Sequence, residues 1–262
     1  MRRLRTKLAV TGIVAGALAG LFGVGGGVVI VPLLGLWFGW DQRKAVATSF
    51  IALAPLAVVA AIGYALHGDV DLYLAVPLAA GSMIGAWLGA ALLNRMPLSV
   101  LRGIFAVIAL LGAARLLTSP GAPSSLPDHQ WWHLALLVPV GVLVGVIAAL
   151  TGIGGGTIMV PVMQLGFGAS AVLAKGTSLA TIIPTSLLGG YRNIKLGNGS
   201  LPDALWIGGF GVLTSFPFSQ ISVGLPPTLA DIMFGCLLLF AAGRTVWGDL
   251  RNLVRKRESL TP

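Results

Sequence analysis

Apolar residues fill this chain in long blocks with no charged interruption. Asp, Glu, Lys and Arg are missing from Leu8 to Trp40, Ala45 to Gly68, Leu72 to Asn94, His129 to Ala174 and Ala204 to Ala230. Several of these blocks exceed the roughly 20 residues a helix needs to cross a bilayer. The pattern predicts an all-α polytopic membrane protein. The first block, Leu8 to Phe38, would be about 46 Å long as one straight helix, against a hydrocarbon core of about 30 Å. It contains Gly23, Gly25, Gly26 and Gly27, and a helix-interior glycine costs about 1 kcal/mol. The pattern therefore predicts a helix, a break at the glycines and a short second helix. The block from Leu134 to Phe167 has the same break at Gly152, Gly154, Gly155 and Gly156. Helices are further predicted near Ala45–Leu66, Leu72–Leu93 and Leu98–Leu116, and near Ser170–Gly189, Asp203–Val223 and Thr228–Trp247.

The two broken blocks are copies. Gly16 to Pro32 (GALAGLFGVGGGVVIVP) returns as Gly145 to Pro161 (GVIAALTGIGGGTIMVP), 129 residues later. The same offset carries Gly39 onto Gly168, Thr48-Ser49 onto Thr177-Ser178, Pro55 onto Pro184 and Gly68 onto Gly197. Duplicated apolar halves, each with an interrupted helix, are the signature of secondary transporters. The predicted organisation is a first transmembrane repeat over 1–118, a Pro/Ser-rich linker over 119–131, and a second repeat over 132–262 that ends in a basic cytoplasmic tail. Gly12, Gly16 and Gly20, and Gly81, Gly85 and Gly89, recur every four residues, which lets helices approach closely in lipid.

Composition agrees with the pattern: 56% of residues are hydrophobic and 10% charged, against about 25% charged in a soluble domain. The net charge of +9 does not indicate a nucleic-acid partner, because the basic residues sit in the two tails and in short loops. Cytoplasmic loops are enriched in Lys and Arg. If each broken segment dips into the membrane and returns to its own side, each half crosses three times and the halves are inverted. Both termini, Asp41 to Lys44, Asn94-Arg95 and Tyr191 to Lys195 are then cytoplasmic, with His67 to Asp71 and the linker outside. If the broken segments cross fully, there are eight spans and parallel halves, and Arg43, Lys44 and Arg95 move outside. Charge favours the inverted arrangement. The basic start, Arg2 to Lys7, is read as the head of a retained helix, and the lone Cys236 excludes an internal disulfide.

The glycine runs lack the Lys-Ser/Thr of a nucleotide-binding loop. An unwound segment in a membrane exposes backbone N–H groups, and the helix that follows presents its positive dipole end. Together these make an anion site without a charged side chain; the bland alternative is close packing. Thr48, Ser49, Thr177 and Ser178 could donate to such an anion or bond back to their own helices. Lys175, which has Val46 as its counterpart, either faces the site or snorkels to the surface. The six aspartates other than Asp128, at 41, 69, 71, 203, 231 and 249, read as helix-end or loop residues. The three histidines lack metal-ligand spacing, and nothing calls for a cofactor.

At the two glycine–proline motifs, Gly16-x3-Gly20-x2-Gly-x-Gly-Gly-Gly27-x4-Pro32 and Gly152-x-Gly-Gly-Gly156-x4-Pro161, and at the Thr-Ser pairs, the chain resembles the TauE/SafE sulfite exporter family. Ala149 replaces the glycine of the first copy's Gly20. The resemblance implies export of a small sulfur-containing anion, such as sulfite or an organosulfonate, across the bacterial inner membrane, and it usually implies eight spans. The expected function is secondary transport by alternating access, with the anion at Gly23, Gly25, Gly26, Gly27 and Gly152, Gly154, Gly155, Gly156, helped by the hydroxyls and Lys175. An anion channel and a membrane enzyme are the rivals, and no nucleophile or carboxylate pair favours the enzyme. The expected partners are the substrate anion and the lipid bilayer; a homo-oligomer is compatible with the sequence.

Overall fold

The computed structural model describes residues 2–93, 106–107, 110–114, 117–118, 131–226, 228–240 and 242–243. The described residues form helices joined by short turns and contain no strand. The first half supplies α1 (Arg2–Phe22), α2 (Gly27–Phe38), α3 (Gln42–Ala65) and α4 (Leu72–Leu92). The second supplies α5 (Trp131–Thr151), α6 (Gly156–Phe167), α7 (Ala171–Lys195) and α8 (Leu201–Gly224), followed by α9 (Thr228–Phe240). Leu4–Phe22, Gln42–Ala65, Leu72–Leu92 and Ala171–Lys195 are long and apolar enough to cross a membrane. The predicted helix near Leu98–Leu116, the linker and the basic tail lie largely or wholly outside the described residues.

Local chemistry sets the ends. Asp41 caps α3 by accepting from Arg43 N, and Asp71 caps α4 by accepting from Tyr73 N and Leu74 N. Ser170 caps α7 by accepting from Leu173 N. Each supplies an acceptor to a first turn that has none of its own. The predicted α7 stops at Gly189, whereas the helix runs on to Lys195. Gly189 is tolerated there because the Phe50 ring of α3 takes the space of its missing side chain. Arg192, Asn193 and Lys195 thus lie on the last turns of a helix, with Asn193 fully buried.

The first break reverses the chain. Gly23, Gly25 and Gly26 have φ of 67°, 76° and 75°, a region that costs other L-residues about 1–2 kcal/mol each. After the turn, Gly26 lies against the backbone of Ala15. At the far end of α2, Lys7 Nζ donates to Trp37 O at 3.4 Å. So α2 runs back along α1. In the second half Gly152, Gly154 and Gly155 have φ of 71°, 92° and 79°, and Gly155 lies against Val144 and Ala148. The 129-residue offset maps Ala15 onto Val144, so both hairpins turn alike.

The halves interlock by exchange. Gly12, Gly16 and Gly20 of α1 pack in sequence on Ile207, Gly211 and Ser215 of α8, so those helices run in the same direction. Gly81 and Gly85 of α4 pack on Val138 and Val142 of α5 in the same way. Helices α3 and α7 fill the centre and run antiparallel: Thr48 Oγ1 meets Ser200 N, and Thr177 Oγ1 meets Asp71 N. Large apolar side chains such as Val76, Leu205 and Leu213 point outward and are exposed. That exterior suits hydrocarbon, where there is no water to avoid.

A Cβ at Gly16 would overlap the Gly211 carbonyl, and one at Gly145 the Ser82 carbonyl, while Gly209 on the same α8 has open space. Gly16→Val and Gly145→Val should each destabilise the purified protein by about 1–3 kcal/mol or more. Gly209→Ala should be neutral or stabilise by up to about 1 kcal/mol. Thermal unfolding in detergent reads the difference; three equal melting points would remove the close-packing account.

Candidate functional site

The two glycine turns meet each other at the centre of the molecule. Gly27, at the start of α2, lies against Gly152 O, and Gly156, at the start of α6, lies against Gly23 O. Gly25 and Gly154 both face Leu53 of α3, and Gly25 also faces Ile182 of α7. Leu53 and Ile182 are 129 residues apart and fully enclosed, so one apolar side chain from each half closes over the paired turns. Gly23 N–H ends α1 on Ala19 O, while Val29 and Ile30 N–H return to Gly26 O. The amides between them belong to a turn and to a helical first turn, which has no intrahelical acceptors. The same holds in the second half, where Gly152 N–H bonds Ala148 O, and Ile158 and Met159 N–H bond Gly155 O.

The hydroxyl pairs stitch these parts together across the halves. Ser49 Oγ donates to Gly152 O at 2.9 Å, and Ser178 Oγ donates to Gly23 O at 3.0 Å. Thr177 Oγ1 accepts from Asp71 N at 2.9 Å, and Thr48 Oγ1 accepts from Ser200 N at 3.0 Å. All four side chains are fully buried. In these four bonds the partner lies in the opposite half, and Ser178 Oγ also lies 4.0 Å from Met159 Sδ of its own half. The four cross-half bonds form two pairs related by the 129-residue offset.

Lys175 breaks this equivalence. Its side chain is fully buried, so it does not snorkel. Nζ donates to Ser222 Oγ of α8 at 3.2 Å and lies 6.0 Å from the centre of the Phe22 ring. Ser222 in turn donates to Leu21 O, and buried Tyr64 donates to Gly20 O at 2.7 Å. The Lys175 backbone packs on Gly23. Val46 occupies the equivalent place against Gly152. Just outside α3, partial burial pushes the Asp69 carboxyl above the usual carboxylate range, with neighbouring His67 acting in the opposite direction.

The structure thus brings the eight glycines together at the paired turns, with Ser49 and Ser178 bonded to them and Lys175 beside Gly23, while Thr48 and Thr177 bond instead to Ser200 N and Asp71 N. Sequence reasoning missed Leu53, Ile182, Tyr64 and Ser222. Apolar or hydroxyl residues in apolar helices carry no local signal, although the 129-residue register would have paired Leu53 with Ile182. It also treated Asp231 as an ordinary helix-end residue. Asp231 does lie on the first turn of α9, which begins at Thr228, but it is only 7% exposed.

A helical, lipid-compatible protein with two interlocked broken repeats belongs to the class of multi-pass membrane transporters. The family model for the sulfite exporter TauE/SafE matches residues 1–116 and 137–261, and the chain belongs to that family. It is 27% identical over 266 residues to the probable membrane transporter protein YunE of Bacillus subtilis, covering 89% of this chain and 96% of that one. It is 39% identical over 108 residues to YdhB of the same organism, also named a probable membrane transporter protein, covering 41% of this chain and 44% of that one. The archaeal relative MJ0441 of Methanocaldococcus jannaschii, with the same description, is 22% identical over 198 residues, covering 73% and 72%. No solved structure matches the chain.

Ser49→Ala and Ser178→Ala each leave a buried glycine carbonyl without its donor. Each should cost about 1–3 kcal/mol, and the two costs should be similar because the bonds are equivalent. Chemical or thermal unfolding of the single variants checks this; an effect in one variant alone would show that the two stitches are not equivalent.

Proposed function

We propose that the protein is a secondary transporter that exports a small sulfur-containing anion, such as sulfite or an organosulfonate, by alternating access. The observation that carries this reading is the direct packing of the two glycine turns, each at the start of a short helix. Helix N-termini with unpaired amides attract anions, and here two of them converge on one place. The family description, sulfite exporter, supplies the substrate class. Leu53 and Ile182 exclude water, which strengthens the attraction between amide dipoles and a bound anion. The tightness of the seal favours a carrier over an open channel. The chain carries out no chemistry in this reading.

The halves are inverted, and the broken segments re-enter. Support comes from the fold-back of α2 along α1, the antiparallel run of α3 and α7, and the parallel pairs α1–α8 and α4–α5. With the positive-inside rule, both termini, Asp41 to Lys44 and Lys195 face the cytoplasm of a bacterial inner membrane, and Asp69 and Asp71 face outward. A cysteine at position 70 in a Cys236→Ser background should react with an impermeant maleimide added outside intact cells. Reaction only from the cytoplasmic side would reverse the orientation.

Gly25 offers a test of the site: a Cβ there meets Ile182 and Leu53 at 3.3 and 3.4 Å, side chains that can shift, and its φ of 76° costs an alanine only about 1–2 kcal/mol. Gly25→Ala should fold yet lose at least about tenfold in affinity for sulfite or sulfoacetate, since its methyl fills the space of the ligand. Lys175→Met should weaken binding and flatten its salt dependence. Calorimetry on purified protein measures both. Undiminished affinity in folded Gly25→Ala would move the site away from the turns.

A further inference from the structure

The scaffold is two-fold, but its charge is not. Lys175 packs its backbone on Gly23 and holds its ammonium between Ser222 and the Phe22 ring, whereas Val46, in the equivalent place against Gly152, brings no charge. An ammonium enclosed in hydrocarbon-like surroundings needs a compensating charge, because desolvation of an isolated ion costs far more than a neutral hydroxyl such as Ser222 returns. A substrate anion meets that need while it is bound. A carrier that exports must also return without substrate, and the lysine makes that journey too.

The compensating charge is at hand. Asp231 stands on the first turn of α9 with 7% of its surface exposed. The geometry is fixed by a shared aromatic. Phe22, at the end of α1, stacks on Phe234 of α9 with centroids 6.1 Å apart, and Lys175 Nζ lies 6.0 Å from the same Phe22 ring. Phe234 is three residues beyond Asp231, and residues three apart lie on one helix face. The face of α9 that bears Asp231 is therefore the face turned towards the end of α1 and the lysine. Ser222 ends α8 just before the turn into α9, and its hydroxyl joins Lys175 Nζ to Leu21 O.

We infer that Asp231 is an internal counter-ion that neutralises Lys175 when no substrate anion does, so that the unloaded transporter can reorient. Substrate and carboxylate compete for one ammonium. The substrate displaces Asp231 on binding, and Asp231 takes the lysine back on release. The charge at the lysine is thus balanced in both directions of the cycle. The inference rests on the proposed anion-carrier function and adds the step that lets such a carrier run one way.

The test separates net transport from exchange in proteoliposomes holding the full chain, with ³⁵S-labelled sulfite as probe under anaerobic conditions. Exchange never requires the unloaded form to reorient; net efflux always does. Asp231→Asn should leave sulfite exchange within about threefold of the unaltered protein and raise its affinity, because a competitor is gone. Net efflux should fall by about a hundredfold, because an enclosed charge has lost its partner. Asp231→Glu should restore net efflux. Equal loss of exchange and net efflux, or no loss of either, would overturn the counter-ion role and leave the carrier reading intact. Absence of any sulfite flux in the unaltered protein would remove sulfite as substrate and the counter-ion cycle with it. If Asp231→Asn does not fold, the neutral double variant Lys175→Met/Asp231→Asn should fold, since no charge is then stranded. Failure of both to fold would also overturn the role.

Discussion

A backbone carbonyl that faces hydrocarbon without a donor costs several kcal/mol, and an interrupted helix creates such carbonyls. Here each interruption is completed from the other half. Gly152 O receives the hydroxyl of Ser49, and Gly23 O receives that of Ser178. Neither turn is satisfied within its own repeat. This reciprocity explains why the breaks lie against one another, why the hydroxyls follow them at a fixed distance in the chain, and why α3 and α7 sit at the centre. The glycines give the turns their shape; the serines make them tolerable in a membrane.

The same arrangement limits what can vary. At the paired turns an added Cβ at Gly23, Gly27, Gly152 or Gly156 would meet backbone of the opposite half. At Gly25 and Gly154 it would meet flexible side chains. The first four positions therefore hold the halves together, and the second two lie against Leu53 and Ile182. Tolerance of an added side chain thus differs among residues of one type by what each approaches.

Much of this was legible in the sequence because duplication is a global signal. The offset between Pro32 and Pro161 exposed the repeat, the breaks and the Thr-Ser pairs, and four-residue glycine spacing exposed the packing faces. The partners of those faces were not legible: nothing in Gly12 or Gly16 specifies α8 over any other small-residue helix. The role of the hydroxyls was hidden as well, since a serine in an apolar helix reads equally as ligand, back-bonder or cross-link. The extension of α7 to Lys195 escaped because Gly189-Gly190 looks like a stop until Phe50 is placed over it. Asp231 read as one more helix-end or loop residue, and only the fold turns its helix face towards the end of α1.

The parallel pairing of α1 with α8, and of α4 with α5, bears on how such a chain is made and how it arose. The glycine face of α1 meets a partner translated roughly 200 residues later. At about 5–20 residues per second, that face waits roughly ten to forty seconds in the bilayer. Nascent first halves in neighbouring ribosomes' products expose the same unsatisfied faces during that interval. A half-length ancestor would have had no partner for these faces within its own chain, and two copies embracing each other would have supplied the equivalent contacts between halves. Joining two such copies in one chain would free them to diverge, so that a single lysine on one side can exist without its mirror image.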